Sequence, residues 1–180
     1  MSELNTNPIA DLNRYNLSMS KSLIDKIFFM DKIDDTIKVI VDYGCADGAL
    51  IRFLAPLFPD MFFIGYDKSE EMIGRAAEAN TYENCVFYSE SDNFLTWLQA
   101  HNYTIDECAL NLSSIIHEVY SYSTEDEIED FWHFVNDVGF KYIIIRNMCL
   151  DENAHRASLK EDLIKVKSNY SAAAIQEFEQ

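Results

Sequence analysis

Glycine and proline are scarce in this chain, five and three among 180 residues. That scarcity excludes flexible or proline-rich linkers, and no internal repeat or low-complexity tract is present. There is no run of 18 apolar residues and no early apolar segment of the secretory kind, so neither membrane spanning nor secretion is expected. The four cysteines, Cys45, Cys85, Cys108 and Cys149, show no C-x-x-C spacing, and His101, His117, His133 and His155 are scattered. A disulfide framework and a metal site are therefore both disfavoured. Free thiols in a reducing, cytoplasmic compartment explain the cysteines better. Basic residues are also few, 14 against 31 acidic, for a net charge of −17. Binding to a phosphate backbone relies on Lys and Arg, and no basic cluster here is longer than a pair. Duplex nucleic acid is disfavoured as a partner unless a basic partner subunit supplies the positive surface.

What is present is a chain able to bury a core, with 48% hydrophobic residues. Residues 1–17 are polar and read as a loose N-terminal segment. Residues 18–180 read as a single domain. Ser18 or Ser20 caps a helix running to Met30, with Leu23, Ile27 and Met30 at helical spacing. Apolar runs at 38–41, 61–67, 85–88, 107–112 and 141–146 read as five strands, and helical patterns separate them. Thr124-Glu125-Asp126-Glu127 is a capping box. It opens a helix carrying Ile128, Phe131, Trp132, Val135 and Val138 on one face, and Gly139 ends it. A last helical pattern runs from about Ala154 to the end. Strictly alternating units of this kind specify an α/β fold, a doubly wound, mostly parallel sheet with helices on both faces.

Two of the few glycines fall in one turn, Val41-Asp42-Tyr43-Gly44-Cys45-Ala46-Asp47-Gly48, between the first strand and the helix beginning at Ala49. Open α/β sheets bind ligands just beyond such strand ends, near a helix N-terminus. A dinucleotide fingerprint G-x-G-x-x-G started at Gly44 would need glycines where Ala46 and Ala49 stand. Cys45 lies where a thiolate would be favoured, although a small turn residue is the simpler reading. Asp67 ends the second strand and follows Gly44 at a spacing near the ~20 residues at which an acid meets ribose hydroxyls in nucleotide-binding α/β units. Capping of the following helix is its other reading. Asp92 and Asn93 follow the third strand, where an N-cap role competes. Asn111 and His117 lie at and just beyond the end of the fourth.

The turn resembles the first motif of class I S-adenosylmethionine-dependent methyltransferases, D/E-x-G-x-G/A-x-G, with Asp42, Gly44, Ala46 and Gly48 matching. The resemblance covers roughly residues 18–148 and is most specific at 41–48 and 61–72. It implies a Rossmann-like methyltransferase core with S-adenosylmethionine as cofactor. The implied cofactor-binding residues are Asp42, Gly44, Cys45, Ala46 and Gly48 in the turn, Asp67 with Lys68 and Met72, Asp92 and Asn93 for the adenine, and Asn111. It also implies that His117 faces the acceptor, as an orienting group or a proton acceptor, with Glu118 or Tyr120 near it. Tyr15 and Met19, before the first strand, would fold over the cofactor. The acceptor is expected to be a small molecule or a protein, since no N-P-P-Y or D-P-P-Y motif of base methylation is present. A non-catalytic cofactor-binding or scaffolding subunit is the alternative. One departure stands out: the family's last β-hairpin after strand five is not visible. The apolar fifth strand would then be a bare edge. Either the C-terminal helix or another chain in an oligomer covers it, or the sequence is a piece of a longer protein.

Overall fold

The computed structural model describes residues 23–147 and 160–169. The chain divides into two compact units, Met1–Met148 and Cys149–Gln180. The first unit holds α1 (Leu23–Lys26), β1 (Val39–Tyr43), α2 (Ala49–Leu54), β2 (Phe62–Tyr66), α3 (Glu70–Ala79), β3 (Cys85–Tyr88) and α4 (Ser91–Ala100). A 3₁₀ turn (Ile105–Glu107), β4 (Cys108–Ser113), α5 (Ile116–Tyr122), α6 (Glu125–Asp137) and β5 (Tyr142–Arg146) complete it. The described part of the second unit is one helix, α7 (Lys160–Asn169). The five strands form one sheet in the order β3-β2-β1-β4-β5, and every pairing is parallel. This is the doubly wound α/β architecture that the alternating pattern demands.

Several local details follow the sequence closely. Thr124 and Glu127 make the reciprocal capping box at the start of α6, and Gly139 follows the helix with φ +84°. The helix before β1 ends at Lys26, earlier than the Met30 its periodicity suggests. Beyond Lys26 the backbone continues in separate turns, with Met30 N–H donating to Ile27 and Ile33 N–H to Phe29. Asp31, Asp34 and Asp35 would crowd the negative end of a longer helix. Residues 1–17, with Tyr15, and also Ser18, Met19 and Ser20 lie outside the described residues. Among the described residues no strand follows β5. On that edge strand Ile143 and Ile145 are 41% and 49% exposed.

The two sheet faces sort by alternation along the strands. Ile40, Phe63, Ala109 and Ile144 pack with Phe29, Leu50, Ile51 and Leu54 of the α1–α2 side. Val39, Val41, Ile64, Leu110 and Leu112 pack with Phe94, Trp97, Phe131 and Val135 of α4 and α6. β1 is the central strand with β2 and β4 on either side, and every residue of β4 is buried. The N-terminal halves of β1 and β4, Val39–Val41 and Cys108–Leu110, are apolar on both faces, as burial on both sides requires. On the α1–α2 face the apolar rows give way to polar ones at the C-terminal ends of the strands. One row is Gly65, Asp42, Asn111 and Ile144, in direct register. The next holds Ser113 paired with Arg146. The site is built on these two rows.

Gly65 shows how tightly this end is packed. A Cβ there would stand 2.6 Å from Phe87 Cδ1 and 2.8 Å from Cys45 Sγ. Gly74, on the exposed side of α3, would meet nothing within 4 Å. Opposite signs are therefore expected from one substitution at two places. Gly65→Ala should destabilise by about 1–3 kcal/mol through overpacking. Gly74→Ala should stabilise by about 0.5–1 kcal/mol, because a helix interior disfavours glycine. Urea midpoints of both variants check this, and a neutral Gly65→Ala would show that Phe87 gives way.

Candidate functional site

The turn after β1 is folded against the end of β2 by its own amides. Gly44 N–H and Cys45 N–H both donate to the Tyr66 carbonyl, at 2.8 and 2.9 Å. Ala46 N–H donates to Asp67 Oδ2 at 2.9 Å. Gly48 N–H returns to the Cys45 carbonyl, and Ala49 N–H finds Asp47 Oδ1 at 3.2 Å. The left-handed backbone at Gly44, Ala46 and Gly48 makes this path possible. Gly44 is expected to be glycine either for a close approach of the ligand or for its backbone, and its φ of +81° supplies the second reason. Within the chain, a Cβ there would also stand 2.7 Å from Ile115 Cδ1. At Gly48 it would stand 2.4 Å from Phe87 Cε1.

This turn has a chemical consequence. A pyrophosphate-binding loop offers free amides to an anion. Here an aspartate of the chain and a carbonyl already take those amides. The residues do not fit a dinucleotide phosphate, and they do fit a cofactor without one. Asp67 is itself held rigid, since its other oxygen accepts from Ser69 N–H at 2.9 Å. Ser69 then caps α3 by accepting from Met72 N–H. Asp67 thus supports the cap residue, Ser69, instead of capping the helix itself, and it lies on the wall of a cavity.

That cavity, of about 230 Å³, lies at the C-terminal ends of the strands and is lined by Asp42, Gly44, Cys45, Ala46, Asp67, Lys68 and Met72. These are most of the residues expected from the sequence. Its other walls come from Lys26, Ser113, Ser114, Ile115 and Glu118, of which only Glu118 was anticipated. A signal for Lys26 was present: it interrupts the apolar stripe Leu23, Ile27, Met30 at helical spacing, and a cation inside an apolar stripe has a polar reason to be there.

Not every expected residue reaches the cavity. Asn111 is fully buried, lies off the cavity wall and donates from Nδ2 to Asp42 Oδ1 at 2.7 Å. It positions Asp42. Cys45 is buried, and burial, with Asp42 and Asp67 nearby, pushes its thiol well above the usual range. It is a neutral packing residue rather than a thiolate. Asn93 is exposed on the first turn of α4 and reaches back to Glu90 Oε2 at 3.3 Å. Asp92 sits beside it in α4, and its side chain lies outside the described residues. His117 lies next to the cavity-lining Glu118, but its Nδ1 is 2.8 Å from Asn147 Oδ1. Among the described residues there is no cluster of metal-ligating side chains and no helix long and apolar enough to cross a membrane.

Two carboxylates on the wall are perturbed. Burial pushes Asp42 up to about 6, against the lowering effects of the Asn111 hydrogen bond and the Lys26 charge. Burial also raises Glu118, and His117 and Lys68 oppose the rise.

A family model described as a methyltransferase domain matches residues 34–177. The chain belongs to this family, the class I S-adenosylmethionine-dependent methyltransferases that the motif at 41–48 resembles. None of the curated proteins matches the chain. Among solved structures it is similar to the plantazolicin methyltransferase BpumL bound to SAH, at 14% identity and TM-score 0.38, over 64% of this chain and 56% of that one. PKMT2 from Rickettsia typhi matches at 17% identity and TM-score 0.44, over 66% of this chain and 22% of that one. Magnesium protoporphyrin IX methyltransferase (ChlM) from Synechocystis PCC 6803, with bound SAM, matches at 18% and 0.40, over 63% and 51%. The chain thus spans about a fifth to just over half of these proteins' lengths.

The state of Asp42 can be read from stability. Its pKa is about 6 folded and about 3.9 unfolded, so the folded protein holds its proton more tightly. The resulting contribution is fully present below about pH 4 and is lost as pH rises through about 6. At 1.36 kcal/mol per pKa unit it is at most about 3 kcal/mol. Asp42→Asn keeps an acceptor for Asn111, so it should flatten this window and gain on the native protein above about pH 6. Urea unfolding across about pH 4–7 measures both curves, and parallel curves would exclude Asp42 as the source.

Proposed function

We propose that this chain transfers a methyl group from S-adenosylmethionine to a small-molecule or protein acceptor. The observation that carries the reading is Asp67: a carboxylate fixed by two backbone amides on the wall of a cavity, beside a turn in which the amides of Gly44, Cys45, Ala46 and Gly48 are satisfied within the chain. That environment suits ribose hydroxyls and excludes a phosphate. Asp67 would hold the ribose, the backbone of Gly44–Gly48 would border the cofactor, and Met72 would supply apolar contact. Asp92 and Asn93 remain the residues assigned to the adenine. The cofactor supplies an electrophilic methyl group on a sulfonium. What the protein must add is alignment of the acceptor, exclusion of water and a place for the acceptor's proton.

For that proton we assign Glu118 the wall position and His117 the neighbouring one. Glu118 lines the cavity, and burial favours its protonated form, which suits a group that must receive a proton. His117 is oriented by Asn147 and acts as the alternative acceptor. A net charge of −17 repels polyanionic substrates, which supports acceptors other than duplex nucleic acid. The cytoplasm is the compartment we assign, on the unpaired buried thiols.

Calorimetry with S-adenosylhomocysteine and with NAD tests the cofactor. Binding of the first alone is expected, and Asp67→Ala should weaken it by about 1.5–3 kcal/mol, the scale of a hydrogen bond to a charged group. Unchanged affinity in a folded variant would remove Asp67 from the site. Methyl transfer into cell extract from labelled S-adenosylmethionine tests catalysis, with Gly44→Val as the blank. Equal labelling by both proteins would leave a cofactor-binding scaffold. Once an acceptor is found, Glu118→Gln should lower the transfer rate by about 10²–10⁴-fold. His117→Ala should act more weakly, mainly on the acceptor's apparent KM. The reverse order would hand the proton to His117.

A further inference from the structure

The turn between β4 and α5 is held by two consecutive residues at the end of β5. Register pairs Ser113 with Arg146. One residue on, Ser114 N–H donates to the Arg146 carbonyl at 2.6 Å, and Arg146 Nη1 donates to Ser114 Oγ at 3.3 Å. Asn147 then meets His117 in the first turn of α5, its Oδ1 standing 2.8 Å from Nδ1 of the ring. Ser114 adopts φ +62°, a left-handed conformation that costs a non-glycine residue on the order of 1 kcal/mol or more. Strain of this kind persists only where the surroundings over-determine it, and it collects at functional sites. Ser113, Ser114 and Ile115 of the turn, and Glu118 of the helix, line the cavity.

The contact at His117 fixes more than position. An amide oxygen can only accept, so Nδ1 of His117 is the nitrogen that donates to Asn147 Oδ1. In a neutral ring that commits the single proton to Nδ1 and leaves the lone pair on Nε2. A ring without such a partner is free to carry its proton on either nitrogen. The charge of His117 acts on Glu118, its neighbour in sequence, so the ring lies close to the carboxylate on the cavity wall. An acceptor atom that takes the methyl group sheds a proton. That proton reaches His117 only at Nε2, directly or from Glu118, and leaves an imidazolium whose Nδ1–H stays on Asn147. Asn147 is uncharged, so it orients the ring without adding a negative charge to hold the proton there.

We propose that Asn147 is a positioning residue for methyl transfer: it holds His117 as the Nδ1–H tautomer with Nε2 open to a proton, while Arg146 fixes the turn that carries His117 and Glu118. The proposal rests on the methyl-transfer reading and adds the end of β5 to the acceptor side of the site. Neither Arg146 nor Asn147 lines the cavity, so both act through the residues they hold. It also explains why the apolar run of the edge strand, Ile143-Ile144-Ile145, ends in two polar residues.

Two measurements separate this role from a merely structural one. Nitrogen-15 NMR of the full chain, with the ring neutral, reads the tautomer and needs neither cofactor nor acceptor; the His117 signals are assigned from the His117→Ala spectrum. The native protein should show a protonated Nδ1 and a bare Nε2. Asn147→Asp keeps an acceptor and should keep that pattern, and Asn147→Leu should lose it. A protonated Nε2 in the native protein, or an unchanged pattern in Asn147→Leu, would overturn the proposal. The second measurement is methyl transfer from labelled S-adenosylmethionine into cell extract. Asn147→Leu should bind S-adenosylhomocysteine within about twofold of the native protein, since the two sites are independent. Its transfer rate should fall by the same factor as that of His117→Ala, within about twofold, and the double variant should lose no more. Additive losses, or no loss from Asn147→Leu, would overturn the positioning role while leaving methyl transfer intact. If the native chain labels nothing, the methyl-transfer reading fails and the positioning role fails with it, whatever the tautomer. Thermal melts control for folding, and Asn147→Ala takes the place of Asn147→Leu if the leucine variant does not fold.

Discussion

The hydrogen bond from the Ala46 amide to Asp67 is the constraint on which the rest of the site depends. It joins the turn after β1 to the end of β2 and closes the first β-α-β unit at its ligand-facing edge. Ala46 adopts φ +49°, a conformation that costs a non-glycine residue on the order of 1 kcal/mol or more. Such a backbone persists only where its surroundings over-determine it, and here the Tyr66 carbonyl collects the two preceding amides. Through Ser69 the same aspartate fixes the start of α3. The turn, the strand end and the helix start therefore behave as one rigid piece. A ligand hydroxyl that meets Asp67 meets an acceptor whose orientation has already been set.

Electrostatics inside the cavity run against those of the whole molecule. The protein is strongly acidic, yet the covered end of its site holds a lysine with an arginine close by. Long-range charge sets which molecules approach, and short-range charge sets how a bound one lies. Asp42 mediates between the two regimes. It is held by Asn111 and is attracted by Lys26.

The architecture was legible because each element announces itself by period and punctuation. The five strands fall where the apolar runs lie, and the Thr124–Glu127 capping box opens α6 as written. The turn at 41–48 and Asp67 were legible because glycine is rare enough for its placement to carry information. The partner of Asn111 was not legible, for a physical reason. A polar residue at a strand end reads as a ligand contact, but only register reveals that it faces Asp42 on the neighbouring strand. One reason for Gly44, its left-handed backbone, was legible from the turn, while the other, Ile115, is distant in sequence. The helix before β1 was carried past Lys26 because its apolar spacing outweighed the aspartates that follow it.

The strand order has a consequence for how the chain reaches this state during synthesis. β1 has both its neighbours in the finished sheet, β2 on one side and β4 on the other. β2 follows within a short stretch of chain, whereas β4 begins at Cys108. A nascent chain that has produced β1, β2 and β3 therefore carries a three-stranded sheet in which β1, central in the finished fold, has one open side. Loop-closure entropy delays β4, and strands paired over long sequence separations form late. During that interval the open side of β1 can pair with other chains, the hazard characteristic of slow parallel sheets. The dense negative charge of the chain then acts as a kinetic safeguard, keeping unfinished molecules apart until the central strand is closed.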